Sequence, residues 1–240
     1  MRYTFILISV LLFSISYSQI KYNSGIVKYG VKYKNRSNND KKEDTIKNTE
    51  NKVESFRNRL KEVRRKFYAQ DAVFIELNFN QNSYYAKPVE VMLPESISKY
   101  SNMVSRNHIN YGNINENLFL FHIDNSLGNM IIKSHKNYTW EITNDYKTIA
   151  GYKCRKAILK KESNPKLDYK VWFTPQIPVN FTPVRYHGLP GATLGVRTPR
   201  KYIYAKKIEF TNDVTIKKPS GGKRISFEKY REIITRFKPD

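Results

Sequence analysis

Alternation of period two constrains this chain more than any other feature. In "GIVKYGVKYK", Val27, Tyr29, Val31 and Tyr33 fall on one side and Lys28, Lys32 and Lys34 on the other. That is the pattern of a half-buried strand, because successive side chains of a strand point to opposite faces. "VFIELNF" repeats it with Val73, Ile75, Leu77 and Phe79. "YYAKPVEVML" follows the polar turn "NFNQNS" as a hairpin partner, and Pro88 confines it to an edge or a bulge. Further strands are expected at 117–124, 129–135, 137–143, 149–160, 167–174, 192–197 and 200–211. The short turns "DNSLGN", "TNDYKT", "ESNPK" and "TPRK" separate them. Many strands joined by short turns predict an antiparallel meander, not βαβ units.

One segment breaks the period. Across 49–68, Val53, Phe56, Leu60, Val63 and Phe67 are spaced 3, 4, 3 and 4, one face of an amphipathic helix. Its other face carries Lys52, Arg57, Arg59, Lys61, Arg64, Arg65 and Lys66. An antiparallel sheet with one apolar face needs a cover, and this helix supplies it. Its basic face is also of the kind that lies on anionic lipid. A second, shorter helix is expected at 226–237, with Phe227, Tyr230, Ile234 and Phe237 on one face, after a flexible joint "KKPSGGK". The fold class is therefore mainly β (α+β), a single curved antiparallel sheet with one amphipathic helix and a short C-terminal one.

Residues 1–18 read as a secretory signal peptide. Arg2 gives the positive start, "FILISVLLFSI" the apolar stretch, and "SYS" the small residues before Gln19. The apolar run is shorter than the roughly 20 residues a membrane span needs. Cleavage leaves no transmembrane span, a β domain over 19–222 and a helical tail over 223–240. The formal net charge is +22, with basic residues spread along the chain. Such a charge suits a polyanion. Export argues against nucleic acid and leaves an anionic envelope surface, or a drift in composition.

The single cysteine, Cys154, excludes an internal disulfide and a multi-thiolate metal site. His108, His122, His135 and His187 form no metal-binding pattern, and no cofactor is called for. A Cys-dependent hydrolase would need His187 or His135 brought to Cys154 by the fold. The opposing expectation is a buried, inert thiol, since Cys154 alternates with Lys153 and Arg155.

The segment "YHGLPGATLGV" (186–196) carries Gly188, Leu189, Pro190 and Gly191. Proline presets φ and the following glycine accepts positive φ, so Leu189–Ala192 reads as a type II turn between strands. A phosphate loop would need a lysine and a following helix. A nucleophile elbow would need Ser or Cys between the glycines.

This turn closes an ordered series: "WEITNDYKTIAGYKCRKA" (140–157), "VWFTPQIPV" (171–179), then "YHGLPGATLGV". The series resembles the GLPGLI family of exported Bacteroidota proteins, with Ala192-Thr193 in place of that family's Leu-Ile. The resemblance implies export to the periplasm or the periplasmic face of the outer membrane. It also implies a β-rich domain similar to the half-barrel of periplasmic lipoprotein carriers, and no assigned chemistry. The expected function is a non-enzymatic envelope protein that binds an apolar or envelope-derived ligand. Trp140, Tyr169 and Trp172 on strands, with Phe56 and Leu60 of the helix, would line an apolar or sugar-stacking groove. The alternative is a scaffold that docks an outer-membrane protein partner.

Overall fold

A computed structural model describes residues 23–33, 54–55, 58–59, 62–63, 65–66, 74–90, 108–125, 127–134, 138–160, 169–199 and 201–236. Residues 1–18, expected as a signal peptide, lie outside them. The strands are β1 (Gly25–Tyr33), β2 (Ile75–Phe79), β3 (Ser83–Pro88), β4 (His108–Asn113), β5 (Leu118–Asn125) and β6 (Gly128–Ser134). They continue with β7 (Thr139–Ile149), β8 (Tyr152–Lys160), β9 (Lys170–Thr174), β10 (Ala192–Arg197), β11 (Lys201–Phe210) and β12 (Lys223–Ser226). All twelve form one open curved sheet in the order β12-β6-β5-β4-β3-β2-β1-β11-β10-β9-β8-β7.

Two consecutive meanders build that order. Strands β1 to β6 each pair with the next, and so do β7 to β11. Antiparallel pairing of β1 with β11 joins the two halves along nine residues of β1. The chain then returns across the sheet, and β12 adds to the far edge in parallel with β6. The segment "KKPSGGK" was expected to be a flexible joint; it makes a specific bend. Gly221 and Gly222 adopt φ of 82° and 83°, and a Cβ on Gly222 would overlap the Asn129 side chain.

The alternation is realised as expected. Val27, Tyr29, Leu77, Phe79, Val171, Phe173, Val196 and Ile203 are buried in one large core. Val63, in helical conformation, is buried in the same core, whereas Glu62, Arg65 and Lys66 around it are exposed. At Val63 this helical segment contributes to the core, with its neighbouring described charges in solvent. Phe56 and Leu60 lie outside the described residues. The C-terminal helix (Phe227–Arg236) packs Phe227, Tyr230 and Ile233 on Phe121, Ile123, Met130 and Ile132. Ile233 takes the place expected of Ile234.

Three local expectations change. Pro88 does not make β3 an edge: β3 lies between β2 and β4. Its pairing with β4 stops at Ala86, so the absent N–H of Pro88 falls beyond that ladder. "TNDYKT" is not a turn; it lies within the long strand β7. A register shift between Ile142 and Tyr146 absorbs it. Arg155 Nε donates to Thr143 O at 2.7 Å, and Arg155 Nη2 to Asn144 Oδ1 at 2.9 Å. The reversal comes instead at Ala150 and Gly151, with φ of 49° and 84°, a two-residue hairpin of the twist-matched kind.

The third change is the Gly-Leu-Pro-Gly turn. No strand precedes it. Residues 175–191 are irregular, with Ile177, Val179, Phe181 and Leu189 buried. Gly191 N donates to Leu189 O at 3.0 Å, and Ala192 N to Ile177 O at 3.2 Å. That is a three-residue turn on Pro190, not the type II turn. Asn180 Oδ1 also accepts from Gly191 N at 2.8 Å. Gly191 has φ of 131°, and a Cβ there would overlap the Thr174 carbonyl. The glycine is needed twice, for its φ and for the approach of β10 to the end of β9.

Candidate functional site: two aromatic–cation assemblies

Strand β10 is buried on both faces from Ala192 to Val196. One face meets the main core through Val196 beside Val171 and Ile203. On the other, Gly195 pairs with Trp172 of β9 and Tyr204 of β11. A Cβ on Gly195 would stand 2.8 Å from Ile149 Cδ1, 3.1 Å from Tyr202 Oη and 3.4 Å from Trp172 Cβ. Its absence lets rings from the flanking strands close over the strand. Trp172 meets Tyr202 edge to face at 5.7 Å, and Tyr202 stacks on Tyr204 at 5.5 Å and 13°.

Exposed cations flank this ladder. Lys147 Nζ lies 4.7 Å from the Tyr202 ring and 5.6 Å from the Trp172 ring, and donates to Tyr202 Oη at 3.2 Å. Arg197 reaches the Tyr202 ring at 5.5 Å, and Lys32 Nζ the Tyr204 ring at 5.3 Å. Burial pushes the Tyr202 phenol up to about 12, against the opposing pull of Arg197. The hydroxyl therefore stays protonated and can donate or accept a hydrogen bond at neutral pH. Half-buried rings beside exposed cations make an amphipathic surface.

The second assembly sits just before the Gly-Leu-Pro-Gly turn. Arg185 lies 5.0 Å from the Tyr186 ring, 5.5 Å from Phe227 and 5.9 Å from Phe121. It thus joins β5 to the C-terminal helix. His187 stacks flat on Phe119 at 3.4 Å and meets Tyr138 edge-on at 5.2 Å. Its Nε2 is buried with no hydrogen-bond partner, and burial pulls the imidazole down to about 4. Trp140 Nε1 donates to His187 O at 2.9 Å, and Tyr169 meets Tyr186 at 5.0 Å.

The structure therefore separates the candidate residues. Trp172 belongs to the outer ladder. Trp140 and Tyr169 belong to the inner assembly, where their neighbours are protein groups. Tyr202, Tyr204, Lys147 and Arg185 were not singled out. The "YIY" of "KYIYAK" carried a signal for the first two, since two tyrosines at i and i+2 share one strand face.

Cys154 is fully buried in the main core, with Sγ 3.5 Å from Tyr152 O. Burial pushes its thiol up to about 11, so no thiolate is present at neutral pH. His187 sits in the inner assembly against Phe119 and Tyr138, whereas Cys154 belongs to the main core, and His135 lies outside the described residues. Among the described residues no group of three His, Cys, Asp or Glu could hold a metal, and no helix is long and apolar enough to cross a membrane. A small cavity among the described residues holds about 10 Å³, lined by Tyr84, Asn110, Phe119, Phe121, Ser134 and Arg185, among others.

The comparisons with known proteins bear on the whole sheet. No curated protein matches the chain. Among solved structures, PNGF-II in space group P21 is similar over 89% of this chain, with a TM-score of 0.52 and 13% identity. PNGF-II in space group C2 gives a TM-score of 0.52 and 12% identity, again over 89% of this chain. The chain spans 33% of the length of those structures, and the likeness shows the fold. A family model described as "N-glycanase peptide, N-terminal domain" matches residues 67–227, from just before β2 to the start of the C-terminal helix. The chain belongs to the family of N-glycanase peptide N-terminal domains.

Proposed function

We propose that the chain is an exported, non-enzymatic envelope module that binds saccharide of the envelope through the Trp172–Tyr202–Tyr204 ladder. The observation that carries this reading is the ladder itself: three half-buried rings in a row, edged by Lys32, Lys147 and Arg197. A sugar ring has an apolar C–H face that lies on an aromatic ring, and hydroxyl or carboxylate groups at its rim that take hydrogen bonds. The ladder offers both at the right scale. The net charge of +22 favours acidic saccharides. The family's name supports a carbohydrate context, and the sequence resemblance to GLPGLI proteins supports export to the periplasm. The small cavity among the described residues weighs against an enclosed apolar ligand.

Tryptophan emission tests the reading, because the two tryptophans stand in different assemblies. Titration with acidic and neutral envelope polysaccharides should shift emission in Trp140→Phe but not in Trp172→Phe. Raised salt should weaken the acidic ones. A response that survives in Trp172→Phe, or none in wild type, overturns the ladder as the site.

The scaffold reading rests on a different observation. Strand β7 ends the sheet, eleven residues long and mostly exposed, so a partner strand could add to it. Its bulge and its charges Glu141, Asp145 and Lys147 oppose such pairing. A partner copurified from the envelope and lost on Thr148→Pro would favour it.

A further inference from the structure

Arg185 brings a positive charge to the junction of β5, the C-terminal helix and the segment before the turn. Among the described residues no carboxylate pairs with it. Its hydrogen bond runs from Nη2 to the neutral Tyr186 hydroxyl at 3.0 Å, and its other contacts are the rings of Phe121, Tyr186 and Phe227. Arg185 is partly buried, and the ring faces offset only part of the cost of withdrawing its charge from water.

Arg185 also lines the cavity of about 10 Å³, which is about one water-sized site. The polar side chains around it are rich in donors. Ser134 Oγ is buried beside the Tyr138 hydroxyl and has no protein partner at full hydrogen-bond geometry. Asn110 Nδ2 gives one hydrogen to Pro183 O at 3.2 Å and keeps a second. Tyr84 and Tyr111 complete the lining, and burial holds the Tyr84 phenol firmly protonated. Phe119 and Phe121 supply apolar walls. No carboxylate is among its described lining residues. A donor-lined cavity beside an unneutralised cation is complementary to an anion. Its volume of about 10 Å³ matches a monatomic ion better than a carboxylate, sulfate, phosphate or sugar.

We infer that this cavity is a binding site for one monatomic anion, chloride in ordinary media, which neutralises Arg185. Bound there, it ties β4 (Asn110, Tyr111), β5 (Phe119, Phe121) and β6 (Ser134) to the segment 183–187.

The test uses the full chain at constant ionic strength, with sodium gluconate exchanged stepwise for chloride or bromide. Thermal unfolding should rise by a few degrees with either halide and stay flat in gluconate. Arg185→Met and Ser134→Val should each remove the halide-dependent rise. Crystals grown in bromide should show an anomalous peak within hydrogen-bond reach of Arg185 and Ser134. If Arg185→Met fails to fold, Ser134→Val and the bromide crystal decide. Equal melting in halide and gluconate with an empty anomalous map means water fills the cavity, and the proposal fails. A halide effect that persists in both variants places it on the basic surface and also overturns the proposal.

Discussion

Cations meet aromatic rings in two places in this molecule, and solvent separates their roles. In the outer ladder Lys147, Arg197 and Lys32 are exposed and lean on rings that are only half covered. Each cation keeps most of its water and can exchange a ring contact for a ligand at little cost. In the inner assembly Arg185 and His187 are held among Phe119, Phe121, Tyr138, Tyr186 and Phe227. There the polar groups have lost much of their water and serve to join elements. Similar residue types thus make a surface in one place and a structural junction in the other, and burial decides which.

The largest expected effect breaks the inner assembly and spares the outer one. Gly191 anchors the segment that carries Arg185 and His187. Gly191→Ala adds a Cβ against the Thr174 carbonyl in a backbone of φ 131°, so the chain must shift. Denaturant unfolding should show a loss of about 3 kcal/mol or more. Gly188→Ala sharpens the point. Its φ is 93°, but the nearest atom is Trp140 Nε1 at 3.8 Å, so only backbone strain remains, about 1 kcal/mol. Equal losses in the two would show that the Thr174 contact carries no weight.

Acid should act on the inner assembly next. Burial lowers the His187 pKa from 6.5 to about 4. A depressed histidine favours the neutral folded form. Its stabilisation is therefore complete above the unfolded value of 6.5 and is lost as pH falls toward 4. The loss approaches about 3 kcal/mol. His187→Phe keeps a ring against Phe119 and removes the titration. The carboxylates that also titrate in acid are common to both proteins, so the difference between them isolates His187. In urea melts the wild type should lose more stability than the variant between pH 7 and pH 4.5 if the histidine is the cause. Parallel pH profiles would show that His187 finds a proton acceptor.

Cys154 lies between the main core and the outer ladder, close enough for Tyr202 and Lys147 to share its electrostatics. It should react slowly with a thiol reagent in the native state and fast in urea. Cys154→Ser buries a hydroxyl in an apolar site and should cost about 1–3 kcal/mol without changing the saccharide response. Fast native labelling would mean the ladder opens.

The sheet was legible because its signal is local. Val27, Tyr29, Leu77 and Phe79 alternate in sequence and share a core in space. Val63 likewise follows from helical spacing. The two assemblies were not legible, because each gathers residues from distant strands. Trp172, Gly195, Tyr202 and Lys147 meet only through the order β11-β10-β9-β8-β7, and no local pattern fixes that order. The Gly-Leu-Pro-Gly motif announced a turn, but its form depends on Asn180 and Thr174, which the dipeptide rules do not contain. "TNDYKT" has turn composition, and β8 overrides it through Arg155 and the Asp145–Lys156 ion pair.

The smallest effect on stability should come from the cations of the outer ladder, and it is the sharpest test of the comparison. Lys147 is exposed and its partners are rings and one neutral hydroxyl, so Lys147→Ala should change unfolding free energy by no more than about 0.5–1 kcal/mol. Arg197→Ala should behave alike. Both should still weaken acidic saccharide binding severalfold, since each removes a donor and a charge from the rim of Trp172 and Tyr202. A double-mutant cycle of Lys147→Ala with Trp172→Phe, read by binding calorimetry, should show coupling, because the lysine lies over the same ring. Strict additivity would mean that Lys147 steers ligands without touching the bound one. A large loss of stability in Lys147→Ala would erase the distinction between the two assemblies and make the outer ladder a structural junction as well.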